Sequence, residues 1–253
     1  MSHNVIDSIQ IYLNSKYADA KPLGDPAICM YNLPQIEIPD GHTLYMSLQN
    51  AVIPYSFYCI NSSNNYLEIL DASFLSIAVE VPFGNYNVNQ LVAYLQQEIG
   101  SPFTITYDSI TGKIRISNSL FETFTIQANS TINVVLGFNT TAATPSDASG
   151  NLVGVNCVNL TQIRAVNVEI DMPTYNVNVA QRYNQNILAT IPVLAQPFGL
   201  INYTNPNNFR VNMFSCAMNM IKVKLVDNQA NLIHLNGVNY QMTLQLDIVK
   251  FTE

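Results

Sequence analysis

Charge is scarce in this sequence. Asp, Glu, Lys and Arg make up 11% of its 253 residues, against about 25% in an ordinary soluble domain. The water-facing surface must therefore be built from Asn, Gln, Ser and Thr, which run through the whole chain. Such a surface offers little repulsion to a neighbouring subunit and suits wide, close packing. The few ions lean acidic, 17 against 10, for a net charge of −7. Binding to nucleic acid rests on clustered Lys and Arg that displace counterions from phosphate. No such cluster exists, and direct contact with DNA is not expected.

Tryptophan is absent, and cysteine is limited to Cys29, Cys59, Cys157 and Cys216. These four are far apart, form no CxxC pair and mostly have apolar or aromatic neighbours. They are read as small buried hydrophobes, not disulfide partners. Hydrophobic residues reach 48%, and a domain of this length buries about 70–75% of its unfolded surface, so no disulfide staple is needed. The opening MSHNVIDSIQ has neither a basic n-region nor an apolar h-region, so no secretory leader is expected. The sequons at Asn61, Asn129, Asn139, Asn159 and Asn202 then follow from Asn, Ser and Thr richness alone. No apolar run approaches the roughly 20 residues of a membrane span.

Catalytic templates are missing as well. HExxH, CxxC and GxSxG do not occur, and the ten glycines are scattered singly at turns instead of gathered in a phosphate loop. His3, His42 and His234 are the only imidazoles. His42 follows the Pro39-Asp40-Gly41 turn and His234 lies in a polar loop between Leu232 and Leu235, so both are assigned surface or loop roles. Asp227 and Asp247 lack the DxDxDG spacing of a calcium loop, which leaves turn capping. No cofactor, metal or catalytic residue is expected, and the chain is not read as an enzyme. Tyr175, Tyr183 and Tyr203 are candidate interface residues, since an exposed tyrosine can anchor a contact or line a glycan site.

What the chain does have is period-two alternation. Ile221, Val223 and Leu225 alternate with Lys222 and Lys224; after a loop holding Asp227-Asn228 and Asn236-Gly237, Met242, Leu244, Leu246 and Ile248 alternate with polar residues. This reads as an antiparallel pair with one greasy face that must lie on a second sheet. Similar strands are expected at 7–13, 27–33, 35–38, 44–58, 66–70, 75–81, 164–171, 186–193, 199–203 and 209–214. Between Val88 and Ile99 the period changes: Val88, Leu91, Val92, Leu95 and Ile99 form the stripe of a helix. Asn87 is its expected N-cap, Gln90 completes a capping box, and Gly100 ends it. A hairpin follows over 103–117, then a strand at 124–127 and one helical turn at 132–138. Residues 139–150 and 172–186 read as surface loops.

The expected architecture is mainly β, a jelly-roll β-sandwich with an inserted small α+β unit of one helix plus hairpin. The boundaries drawn are 1–81 for the early strands, 82–138 for the insert and 139–253 for the remaining strands. Two small tandem jelly rolls are the alternative.

The order of segments resembles the jelly-roll minor capsid and penton-type proteins of large icosahedral double-stranded DNA viruses, including nucleocytoplasmic giant viruses and virophages. The carrying segments are LYMSLQNAVIPYSFYCIN (Leu44–Asn61), PFGNYNVNQLVAYL (Pro82–Leu95), YDSITGKIRIS (Tyr107–Ser117), VVLGF (Val134–Phe138), NILATIPV (Asn186–Val193) and LVDNQANLIHLNGVNYQMTLQLDI (Leu225–Ile248). Tyr240 stands where the resemblance would place a tryptophan. The resemblance implies a structural virion component, assembled in the host cytoplasm, that cements capsomers or forms the vertex. Its implied partners are the major capsid protein, neighbouring minor capsid proteins and further copies of itself. A glycan-binding or attachment module on the same sandwich is the alternative function.

Overall fold

A computed structural model of the chain describes residues 3–172, 186–213 and 217–251. The chain is mainly β and divides into two compact units, one made of residues 1–57 and 163–253, the other of 58–162. The second unit is wider than the 82–138 insert drawn from sequence. That boundary was placed where the period switches to helical, but the strands just before it belong to the second unit.

The first unit opens with β1 (His3–Asn14), β2 (Ile28–Glu37) and β3 (His42–Pro54). In the second unit follow β4 (Tyr66–Leu70), β5 (Ser76–Glu80), α1 (Val88–Ile99), β6 (Phe103–Asp108) and β7 (Lys113–Asn118). It closes with β8 (Thr125–Ile126), α2 (Asn133–Leu136), β9 (Thr144–Pro145) and β10 (Asn151–Val153). The first unit resumes with β11 (Ala165–Ile170), β12 (Ile187–Pro192), β13 (Leu200–Thr204), β14 (Val211–Met213), β15 (Ala217–Val226) and β16 (Gln241–Phe251).

Two antiparallel sheets build the first unit, in the orders β1-β16-β3-β13 and β2-β15-β11-β12, with β14 continuing the β13 position along β3. The neighbours nest in sequence: first strand with last, second with next to last, third with the β13–β14 pair, and β11 with β12. A long antiparallel ribbon rolled up in this way is a jelly roll. The second unit enters between β3 and β11, the third and fourth strands of the roll.

Alternation decides which side chains enter the core. Leu44, Met46 and Leu48 of β3 and Leu244, Leu246 and Ile248 of β16 are buried on one sheet; Val166, Val168 and Ile170 of β11 and Ile221, Val223 and Leu225 of β15 are buried on the other. Each such side chain contributes about 1.5–3 kcal/mol on leaving water. The last two long strands do not pair with each other, as expected from sequence, but sit in opposite sheets and share one core. Their connecting loop crosses from sheet to sheet. Asp227 caps its turn, accepting from the N–H groups of Gln229 at 2.7 Å and Asn231 at 2.9 Å. Tyr240, at the tryptophan position, is fully buried, with its hydroxyl 3.4 Å from that of Tyr31.

In the second unit α1 has the expected capping box, Asn87 Oδ1 accepting from Gln90 N–H and Gln90 Oε1 from Asn87 N–H, both at 2.9 Å. Its stripe of Leu91, Leu95 and Ile99 is buried. Gln96 fastens it to β6, donating to Phe103 O at 3.0 Å and accepting from Ile105 N–H at 2.7 Å. The hairpin β6–β7 forms as expected and gains β10 as a third strand. The strand expected over 124–127 forms as β8 and pairs with β4, in the order β5-β4-β8-β9. Hydrophobic alternation marks a strand but not its partner, so the sequence left that pairing open.

Candidate assembly surfaces

The two outer faces of the roll differ in chemistry. On the sheet of β2, β15, β11 and β12, Lys222 and Lys224 project outward and pair with Asp171 at 3.4 Å and Glu169 at 2.9 Å. On the sheet of β1, β16, β3 and β13, the outward positions are chiefly amides and hydroxyls: Ser8, Gln10 and Tyr12 from β1, Thr243 and Gln245 from β16, Ser47, Gln49 and Asn50 from β3.

The carboxylate at the centre of that second face is Asp247, only 7% exposed. It accepts from the Ser8 hydroxyl and from Gln245 Nε2 at 2.8 Å, and Arg210 Nη1 lies 3.4 Å away. The guanidinium also stacks 4.8 Å over the Tyr45 ring, a cation–π contact that fixes its plane. Asp247, Ser8, Gln245 and Arg210 line a groove of about 410 Å³ with Ser47, Gln49, Asn208 and Val5. The groove is polar yet electrically neutral, because its one carboxylate and one guanidinium face each other.

A second surface lies on the 58–162 unit. Antiparallel pairing of Leu70 with Thr125 puts the loops 71–75 and 119–124 at the same end of their sheet. Phe74, Leu75, Leu120 and Phe121 are exposed there, Phe74 at 84% and Phe121 at 74%. Both phenylalanines take left-handed backbone, with φ of +61° and +59°, a conformation that costs a bulky residue about 1–3 kcal/mol. Large apolar side chains grouped at one sheet end make a candidate contact site.

Of the three candidate interface tyrosines, Tyr203 is half-buried on β13, packs against the roll core, and has its hydroxyl pKa pushed up by burial. Tyr175 and Tyr183 lie outside the described residues, as does Cys216. Cys29 and Cys59 are buried as expected, and burial raises both thiols. Cys157 departs from expectation: it is exposed, in a loop where its Sγ meets Thr111 O at 3.2 Å. His42 holds Asp40 O at 2.9 Å beside its turn, and His234 is an exposed loop residue 3.8 Å from Asp25. Among the described residues no group of three or more His, Cys, Asp or Glu could hold a metal, and no helix is long and apolar enough to cross a membrane. The amide face and the phenylalanine tip were not singled out from sequence. The regular polar alternation of β1 and β16 carried the first signal; the second depends on which loops share a sheet end.

The fold is thus a single jelly roll interrupted by an α+β unit. A solved structure shares this architecture. The crystal structure of the mavirus penton protein matches over 96% of this chain and 99% of its own, with a TM-score of 0.54 and 11% sequence identity. A chain of the Sputnik virophage structure, determined by cryo-electron microscopy, matches over 95% of this chain and 98% of its own, with a TM-score of 0.47 and 13% identity. At such identity the likeness to the penton protein is one of fold. No family model matches the sequence, and no curated protein does.

Proposed function

We propose that this chain is a structural virion subunit, a penton-type minor capsid protein that forms the vertex or cements capsomers by protein–protein contact. The observation that carries this reading is the extent of the likeness to the mavirus penton protein, which spans nearly the whole of both chains and so includes both units. The surface chemistry supports it. A low-charge, amide-rich face costs less to bury against a neighbour than a charged one when its amides bond across the contact, and an exposed apolar tip gains by being covered. The chain works by burying surface and carries out no chemical step. Its partners are the major capsid protein, neighbouring minor capsid proteins and further copies of itself, joined during assembly in the host cytoplasm.

A particle reconstruction with mass spectrometry of purified virions tests the proposal. Density fitting this two-unit chain as a ring at the five-fold vertices is the expected result, and density between capsomers would assign the cementing role. Absence from purified particles, together with a chain that stays monomeric at high concentration, overturns it.

A further inference from the structure

Four turns among the described residues share one construction and differ in what fills its left-handed corner. In each, an Asp or Asn side chain accepts from the N–H two residues on, its carbonyl accepts from the N–H of the third, and that third residue has positive φ. After Asp147 the corner is Gly150, and after Asp227 it is Ala230, both small. After Asp71 and Asn118 it is a phenylalanine, Phe74 and Phe121. The Asp71 and Asp147 turns even begin with the same three residues, Asp-Ala-Ser, before parting into Phe74 and Gly150. Glycine enters the left-handed region freely, whereas a bulky residue is strained there. Both phenylalanines are exposed, so no burial within the chain offsets that strain.

The backbone under the rings is already satisfied. Ser73 and Leu75 N–H donate to Asp71 Oδ1 at 2.8 Å, and Phe74 N–H donates to Asp71 O at 3.1 Å. Ser119 N–H donates to Pro102 O at 2.9 Å, Leu120 N–H to Asn118 Oδ1 at 2.9 Å and Phe121 N–H to Asn118 O at 3.1 Å. An apolar surrounding can close on these residues without stranding a donor. The Asp147 turn lies at the same sheet end, because Pro145 of β9 pairs with Thr125. Together the loops 71–75, 119–124 and 146–150 carry Asp71, Glu122 and Asp147 and hold no Lys or Arg. The apolar tip therefore stands in an acidic surround.

We infer that Phe74 and Phe121, with Leu75 and Leu120 beside them, form a plug that seats in an apolar pocket rimmed by Lys or Arg on a different protein of the shell. Rings held outward by rigid, self-bonded turns fit a preformed hollow and lose little freedom on entering it. The acidic surround selects the rim: it attracts a basic one and is repelled by anionic lipid headgroups. The contact is heterologous, one tip into an unlike surface, so every subunit of a ring can make it in the same way. The inference rests on the reading of the chain as an assembly subunit and names the chemistry of one of its contacts.

The test replaces Phe74 or Phe121 of the full chain with photoreactive benzoylphenylalanine, assembles particles, and identifies crosslinked peptides by mass spectrometry. The expected partner is one apolar peptide, flanked by Lys or Arg, of another capsid protein. Crosslinks to lipid or to a second copy of this chain, or none at all, overturn the plug. A companion variant, Phe74→Gly with Phe121→Gly, keeps both corners and removes both rings. Its content in particles should fall about tenfold, while hydrogen exchange at the slowest amides of β4 stays unchanged or slows as the strain is relieved. Faster exchange would give the rings a structural role within the chain and overturn the inference. Native content in particles would overturn it too and leave the capsid reading standing. A native chain absent from purified particles removes both.

Discussion

Replacing Gly137 with alanine should strongly destabilise the 58–162 unit, and the magnitude can be worked from two local terms. Gly137 ends α2 with φ of +83°, and its N–H donates to Asn133 O at 3.0 Å. Left-handed backbone costs an L-residue about 1–2 kcal/mol. The second term is space: a Cβ here would stand 2.2 Å from Asn156 O and 2.8 Å from its carbonyl carbon, both backbone atoms that cannot rotate away. Relief requires moving the 156–159 segment, which is held by Asn156 N–H on Gly137 O at 2.9 Å and Asn159 N–H on Val135 O at 2.8 Å. Losing those two bonds adds about 2 kcal/mol, for a total of about 3–4 kcal/mol. Gly112 is the control within the same unit. Its φ is +69°, but a Cβ there meets only the Cys157 side chain at 3.4 Å, so Gly112→Ala should cost the strain term alone. Hydrogen exchange at the slowest amides of β6 and β7 measures the opening free energy of this unit directly. Equal losses for the two alanines would refute the packing argument, because only the steric term separates them.

Two further outcomes follow from the roll. Burial raises the hydroxyl pKa of Tyr240 well above the ordinary 10.0, with neighbouring Tyr31 adding to it, and Tyr31 is raised mainly by its own burial. A group whose folded value is raised gives stability that is complete below its unfolded value and is lost as pH climbs above it. Urea midpoints should therefore fall above about pH 10, and Tyr240→Phe should flatten that fall while costing about 1 kcal/mol at neutral pH; an unchanged alkaline slope would refute it. Arg210→Ala should cost about 1–2 kcal/mol, since it strips the cation from nearly buried Asp247 while Ser8 and Gln245 still donate. Adding Asp247→Asn should cost less than the sum of the single changes in a double-mutant cycle, and strict additivity would sink the coupling.

Much of the fold could be read from local pattern. The α1 cap pair of Asn87 and Gln90 stands as expected, as does the 103–117 hairpin, because both are fixed by neighbours in sequence. The strand at 28–37 was expected as two pieces around Pro34, but the proline lies on an edge strand, where a missing N–H breaks no ladder. Partner choice was less legible. The greasy faces of β15 and β16 predicted a covering layer correctly, but alternation is identical for strands that pair and strands that face each other across a core, so the two were expected side by side. Cys157 escaped for a related reason: its exposure is set by the loop packed along Gly112 and Gly137, a contact between segments far apart in sequence.

The scarcity of charge gains meaning once it is mapped. An ion buried at an interface loses hydration that a neutral amide largely recovers by bonding across the contact. On the β2-β15-β11-β12 face the charges are kept and paired beside one another, as Lys222 with Asp171 and Lys224 with Glu169, an arrangement suited to water. On the opposite face the central carboxylate is screened by Arg210, Ser8 and Gln245 before any neighbour arrives, and the strands around it present amides and hydroxyls. The desolvation cost of that central ion is thus partly met inside the subunit. Under the proposed assembly role, the β1-β16-β3-β13 side is the one fitted to be covered by other subunits, and the ion-paired side the one fitted to face water.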